Sequence, residues 1–393
     1  MLSKEHIKFI QNNLGKNVSK LILKGIPFSD VSTTFIAQQI AARQNLGKKL
    51  PNWVKNTTVV FPKKLNLEQS SSEQTAQYKS KIIQGNKIVC DLTGGFGIDT
   101  FALSGTNKKI IYIEKDNELA EIVKHNICEV FEKNNVEFEV SPAELYLENL
   151  HTRVDWLYMD PSRRNTAKQK VFLFEECEPN ILDVLNLMKD KSKKALIKTS
   201  PLIDICYGIK NLKYVNKIHV VCVGNELKEL LWELDFSVEK QKPTIKTIQY
   251  KSSITNTFNF CYNQSTNALI YSEPLQYLYE PNAALMKVGK FEDLAEVFQL
   301  KKLHPNSHLF TSNQLIKAFP GRAFLIKEII DYKPKSLKKT LKNKKINVST
   351  RNFPIMAKDL IKLFKINEGG NQYAFFTTDK NQQKKYILCT KEY

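Results

Sequence analysis

The sequence predicts an α/β fold: a Rossmann-like, doubly wound parallel sheet, preceded by a helical region and followed by a small basic α/β part. Three observations carry this. Short β-branched runs alternate with amphipathic stretches from Asn86 onward. A glycine-rich segment, DLTGGFG at 91–97, sits where the first such run should turn into a helix. Positive charge gathers at the end of the chain, with 17 Lys and Arg against 6 Asp and Glu between Gly321 and Tyr393.

Residues 1–84 read as polar and helical. Ser32, Thr33 and Thr34 can cap FIAQQIAARQNL, and Gly47 stands where a helix C-terminal cap favours glycine. KKLPNW and FPKK read as turns, and NLEQSSSEQTAQYKSKII leads into another helix.

Six runs read as strands of the sheet in 85–277: KIVCD (87–91), KKIIYIEKD (108–116), VEFEVS (136–141), VDWLYMD (154–160), KALIKTS (194–200) and IHVVCVG (218–224). Between the second and third, Leu119, Ile122, Val123, Ile127, Val130 and Phe131 recur at helical spacing, so right-handed crossovers join parallel strands. TIKTIQYKSSITNTFNFCYN (244–263) alternates without an intervening helix and predicts an antiparallel edge.

Residues 264–320 read as loop-rich and helical, with EPNAALMKVGKFEDLAEVF as the clearest helix. In 321–393 the pattern gives a strand AFLIKEI, a basic helix KSLKKTLKNKK, a second helix beginning near Pro354, and a hairpin from YAFFTT to KKYILCT.

Composition narrows the function. With 42% apolar and 25% charged residues the chain is that of a globular protein, not a disordered or fibrous one. The start lacks a signal-peptide pattern and no apolar run nears membrane-spanning length, so a cytoplasmic protein is expected. Seven cysteines form no CxxC pair and six histidines show no ligand spacing, which predicts free thiols and no metal. The net charge of +19, concentrated at the C-terminus, points to a polyanionic partner.

The glycines behind Asp91 place bare backbone at a helix N-terminus, the build of a nucleotide or cofactor corner. Aligned on Gly95 and Gly97, the third glycine of the dinucleotide fingerprint would be Thr100, which disfavours a dinucleotide-dependent oxidoreductase. Asp91 suits a ligand with an ammonium group, as in S-adenosylmethionine. Glu114, ending the second strand, can accept ribose hydroxyls, and Glu144 in SPAEL can meet the adenine amine. Thr93, Gly94, Gly95 and Gly97 complete the candidate cofactor site.

The fourth strand ends in DPSRR. Pro161 fixes the local backbone and leaves the Asp160 carboxylate and nearby carbonyls as acceptors for a substrate amine. Arg163 and Arg164 can bind phosphate or stack on a base, or instead pair with Glu175 or Glu176. Lys198, in IKTSP, is a further candidate for substrate contact. The reading therefore assigns Asp160, Pro161 and Arg163 to catalysis, and Arg164 and Lys198 to substrate binding.

DLTGGFG, IEKD and DPSRR, in this order, resemble the class I S-adenosylmethionine-dependent methyltransferases, specifically the bacterial family with a C-terminal THUMP-like domain. The similarity extends through EQSSSEQTAQYK, IKTSP, YEPNAALMKVG, KKLHPNSHLFTS, STRNFP and EGGNQYAFFTT. It implies a ferredoxin-like module at 278–320, a THUMP-like domain at 321–393, S-adenosylmethionine as cofactor, and structured RNA, tRNA or rRNA, as partner. The chain departs from related enzymes where Ser162 and Arg163 replace an aromatic after the proline, which puts a guanine or adenine target in doubt. Two readings follow: methyl transfer to a nitrogen of structured RNA, or a non-catalytic RNA-binding protein that keeps the fold.

Overall fold

A computed structural model describes residues 2–163, 173–238, 242–251, 254–262 and 268–393. The chain divides into two compact units, Met1–Asn216 with Leu231–Gln241, and Lys217–Leu230 with Lys242–Tyr393.

Unit 1 begins with six helices: α1 Lys4–Asn12, α2 Val18–Lys24, α3 Thr33–Leu46, α4 Pro51–Lys55, α5 Lys64–Gln69 and α6 Glu73–Ile82. Ser32 caps α3 by accepting from the Phe35 N–H at 3.1 Å. Its apolar side joins Ile36, Ala37 and Ile40 to Ile10 and Ile26 in a small core. Gly47 does not take the left-handed conformation expected of it; its φ of −56° continues the helical turn. Ser72 caps α6.

The strands that follow are β1 Ile88–Asp91, β2 Lys109–Glu114, β3 Val136–Val140, β4 Val154–Met159 and β5 Ser192–Thr199. They lie in the order β5-β4-β1-β2-β3, all parallel. The crossovers are α7 Ile98–Ser104 after β1, α8 Asn117–Lys124 after β2, continued by a π-helical turn at His125–Val130, and α9 Ala143–Asn149 after β3. Helix α10 Ile181–Lys191 precedes β5 and α11 Ile205–Leu212 follows it. Strand order reverses direction of winding between β1 and β4, so the carboxyl ends of these two strands open a crevice.

β6 (Val215–Val223) and β7 (Glu226–Asp235) form a hairpin through Gly224 and Asn225. β7 was not foreseen. Its sequence, ELKELLWELD, is built from helix-favouring residues, but Leu230 to Trp232 and Leu234 are all fully buried, and burial overrides propensity. Trp232 donates from its indole to the Thr199 hydroxyl at 2.8 Å, and its ring fills the space that a side chain on Gly208 would need.

In unit 2, β8 (Thr244–Lys251) runs parallel to β6, and β9 (Ile254–Cys261) pairs antiparallel with β8. The expected antiparallel edge is therefore β9 alone. A second sheet contains β10 Tyr277–Pro281, β11 Phe310–Ser312, β12 Gly321–Asp331, β13 Asn347–Arg351, β14 Gln372–Thr378 and β15 Lys384–Lys391, in the order β11-β10-β12-β15-β14-β13, with Lys301–Lys302 beside β11. The expected single helix at 280–298 is two, α12 Ala283–Val288 and α13 Phe291–Val297, because Gly289 turns left-handed between them at φ +72°. β13 was missed: NVSTR is short and half-buried, and only its parallel pairing with β14 identifies it.

Both faces of this sheet are covered. On β14, Ala374 and Phe376 pack with Leu337 and Leu341 of α14 (Pro334–Leu341) and Leu360 and Phe364 of α15 (Ala357–Phe364), while Phe375 faces Leu278, Phe324 and Ile387. That is the two-residue alternation of a strand buried on both sides. Between β10 and β12, the buried Glu280 carboxylate accepts from Arg322 Nε at 2.6 Å and from Arg351 at 2.6 Å. Among the described residues no helix is long and apolar enough to cross a membrane.

Candidate active site

β1 ends on Asp91, which lies in register between Tyr112 of β2 and Tyr158 of β4. The chain then has six residues in which to reverse into α7. It does so through Gly95 and Gly97, both left-handed at φ +52° and +74°. Close approach fixes two of the glycines as well: a β-carbon on Gly97 would sit 2.4 Å from Val123 of α8, and one on Gly94 would sit 2.1 Å from the Tyr112 ring. The Tyr112 hydroxyl donates to the Gly95 carbonyl at 2.7 Å, so the tyrosine supports the loop from beneath.

Glu114 is bound to the same loop. One carboxylate oxygen accepts from the Gly95 N–H and the other from the Asp116 N–H, each at 3.0 Å. Asp116 in turn caps α8 at Leu119. Lys115, between the two acids, bonds Glu178 at 2.5 Å; that contact, with the fields of Glu114 and Glu144, raises its pKa. Glu144 lies on the first turn of α9, the helix that follows β3.

Asp91 has no exposed surface. Its oxygens accept from the Thr93 N–H at 3.2 Å and from the Thr100 hydroxyl at 2.6 Å. Burial pushes the carboxyl up to about 7, with Asp99 and Asp160 adding to the rise and the two hydrogen bonds opposing it. No Asp91 oxygen faces solvent; of its two partners Thr93 is partly exposed and Thr100 is fully buried.

The Asp160 N–H donates to the Thr93 hydroxyl at 2.6 Å, which fastens the end of β4 to the glycine loop. The Asp160 carboxylate, partly exposed, forms an ion pair with Lys198 near the end of β5. Pro161 follows at the rim, and Ser162–Arg163 pairs with Cys177–Glu178 as a two-residue ladder. Arg164 lies outside the described residues. Of the acids offered as alternative partners for the arginines, Glu175 accepts from the Tyr207 hydroxyl at 2.6 Å.

The structure therefore brings Asp91, Thr93, the three loop glycines, Glu114, Asp160 and Lys198 to the carboxyl ends of β1, β2, β4 and β5. Sequence reasoning missed two groups that hold them: Tyr112 beneath the glycine loop and Thr100 on Asp91. In the sequence Thr100 stands out only where a fingerprint glycine is absent, yet its hydroxyl falls in the first turn beyond the loop, which is the signal for a bond back to Asp91. Among the described residues no group of three or more His, Cys, Asp or Glu side chains is placed to hold a metal.

Residues 277–320 match a ferredoxin-like domain family and residues 321–391 a THUMP domain-like family. Over the full length of both chains, the protein is 30% identical to a crystallised protein of Porphyromonas gingivalis W83 assigned as a methyltransferase, with a TM-score of 0.89. The chain belongs to the class I methyltransferase family that carries a THUMP-like domain. A curated relative, the ribosomal RNA small subunit methyltransferase J of Francisella philomiragia, is 26% identical over 141 residues. That match spans 31% of the chain and only 58% of the relative's length.

Proposed function

We propose that this family member transfers the methyl group of S-adenosylmethionine to a nitrogen of structured RNA, tRNA or rRNA, in the cytoplasm. The observation that carries the reading is the bond from the Gly95 N–H to Glu114 beside the Thr93–Asp160 bond: a sugar-binding acid and a substrate-orienting acid share one glycine loop.

The residues fit that cofactor. Glu114 spends one lone pair of each oxygen on backbone N–H groups and keeps the others for two ribose hydroxyls. The β-carbon position of Gly95 meets nothing nearer than the Thr93 carbonyl at 3.8 Å, so a ligand can approach the backbone there. Thr93 and the loop from Gly94 to Gly97 would hold the amino-acid portion in the field of Asp91, and Glu144 the adenine amine. When bound, the cofactor supplies an electrophilic methyl carbon.

Asp160 accepts an N–H of the substrate amine and leaves the nitrogen lone pair facing that carbon; Pro161 fixes the turn that presents it. Transfer of this kind needs orientation more than proton movement. Arg163, Arg164 and the basic C-terminal part supply phosphate contacts. The similarity to an enzyme named for ribosomal RNA supports RNA as the substrate class.

Incubation with methyl-labelled S-adenosylmethionine and separate total RNA, protein and DNA fractions tests the reading. Label in RNA, lost in Asp160→Ala with cofactor affinity within about threefold of wild type, is the expected result. Cofactor and RNA binding without label in any fraction would make the protein a non-catalytic RNA binder.

A further inference from the structure

The helices ahead of the sheet contribute polar side chains that the site as described does not use. Lys79 on α6 is fully buried, and Ser71, in the turn before α6, nearly so. A lysine is held out of water only where it is matched. Lys79 Nζ lies 3.2 Å from Asp99 Oδ1 and donates to Ser71 Oγ at 3.0 Å. Burial alone would raise the Asp99 carboxyl, but Lys79, Lys198, Ser71 and Tyr158 together hold it below its ordinary range.

The serine is the joint of this group. It has one proton and two lone pairs. The proton is committed to Asp99 Oδ2 at 2.8 Å, an oxygen that the Tyr158 hydroxyl also reaches at 2.8 Å. Both lone pairs are then left to accept, one from Lys79 and the other from Lys198 at 3.4 Å. Lys198 is the partner of Asp160. Charges thus alternate from the interior to the crevice: Lys79, Asp99, Lys198, Asp160, with one hydroxyl between the buried pair and the outer one.

We propose that Ser71 and Lys198 are positioning residues for methyl transfer, holding the Asp160 carboxylate in one orientation toward the substrate amine, with the Lys79–Asp99 pair as their anchor. Losing Ser71 removes one of the contacts that fix the Lys198 ammonium, which widens the range of positions open to it and to the partly exposed Asp160 paired with it. The inference rests on the role given to Asp160 above.

The test uses the full chain as Ser71→Ala, Ser71→Thr and Lys198→Met, with labelled S-adenosylmethionine and total RNA. A misplacement near 1 Å costs on the order of a hundredfold in rate, and a remote support about tenfold. Ser71→Ala is expected to lower kcat about tenfold, Lys198→Met about a hundredfold, with the KM and Kd for the cofactor within about twofold and Ser71→Thr close to wild type. Wild-type kcat in folded Ser71→Ala, or a cofactor affinity that falls as far as kcat, would overturn the proposal. Should Ser71→Ala fail to fold, Lys198→Met on the site's rim gives the same reading. If wild type labels no RNA, the proposed function has failed, and crystal structures of the variants decide the inference separately: a displaced Asp160 side chain supports it, an unmoved one refutes it.

Discussion

The carboxylate of Asp91 and the hydroxyl of Thr100, nine residues apart, meet at 2.6 Å with no exposed surface on either residue. A carboxyl so enclosed titrates far from its usual range, at about 7 against an ordinary 3.8, chiefly because burial disfavours its charge.

The sign follows from which state keeps the proton. Between pH 4 and 7 the folded protein holds a proton on Asp91 that the unfolded chain has released, so stability is highest at the acid end and falls as pH rises through 7. Urea unfolding of wild type should lose about 2 to 3 kcal/mol more than Asp91→Asn between pH 5 and 8. Parallel pH profiles for the two proteins would refute the assignment.

Thr100→Val keeps the shape and deletes the hydroxyl. A buried carboxylate oxygen is then left short of a partner, at a cost of about 1 to 3 kcal/mol, while Thr100→Ser should cost less than about 1 kcal/mol. Thermal unfolding separates the two.

Gly94 and Gly95 are glycines for different reasons, and alanine should expose the difference. At Gly94 the new methyl collides with the Tyr112 ring, an overpacking cost of about 1 to 3 kcal/mol that displaces the loop and lowers cofactor affinity more than tenfold. At Gly95 the space is open and the cost is left-handed strain, about 1 to 2 kcal/mol. Calorimetric titration of both variants against S-adenosylmethionine checks the order.

Removing residues 321–393 is not a clean test of RNA binding, because β12 pairs with β10 and the cut would open that sheet. Lys335, Lys338 and Lys339, all exposed on or beside the polar face of α14, can be changed to Gln without touching a core residue. If the helix contacts RNA, affinity falls at low salt and the slope of log affinity against log salt drops by about two. An unchanged slope would make these lysines ordinary solvated surface.

How much could be read in advance depended on distance along the chain. β1 to β6 announced themselves as β-branched runs, and the glycine loop, Glu114 and Asp160 stood at their ends. β7 escaped because ELKELLWELD has the composition of a helix and only its burial makes it a strand. Helix α12 was run into α13 because a single glycine is weak punctuation until its φ is known. The bond between Ser71 and Lys198 was illegible for a plainer reason: the two stand 127 residues apart, and no spacing rule reaches that far.

Glu280, gripped by Arg322 and Arg351, has a consequence for ancestry and engineering alike. The seam between the ferredoxin-like and THUMP-like matches falls at 320/321, and Gly321 pairs there with Pro281 while the carboxylate one residue earlier takes guanidinium groups from the far side of the seam. A chimera joined at that seam would strand an uncompensated acid in the interior, so grafts should exchange 277–391 as one cassette.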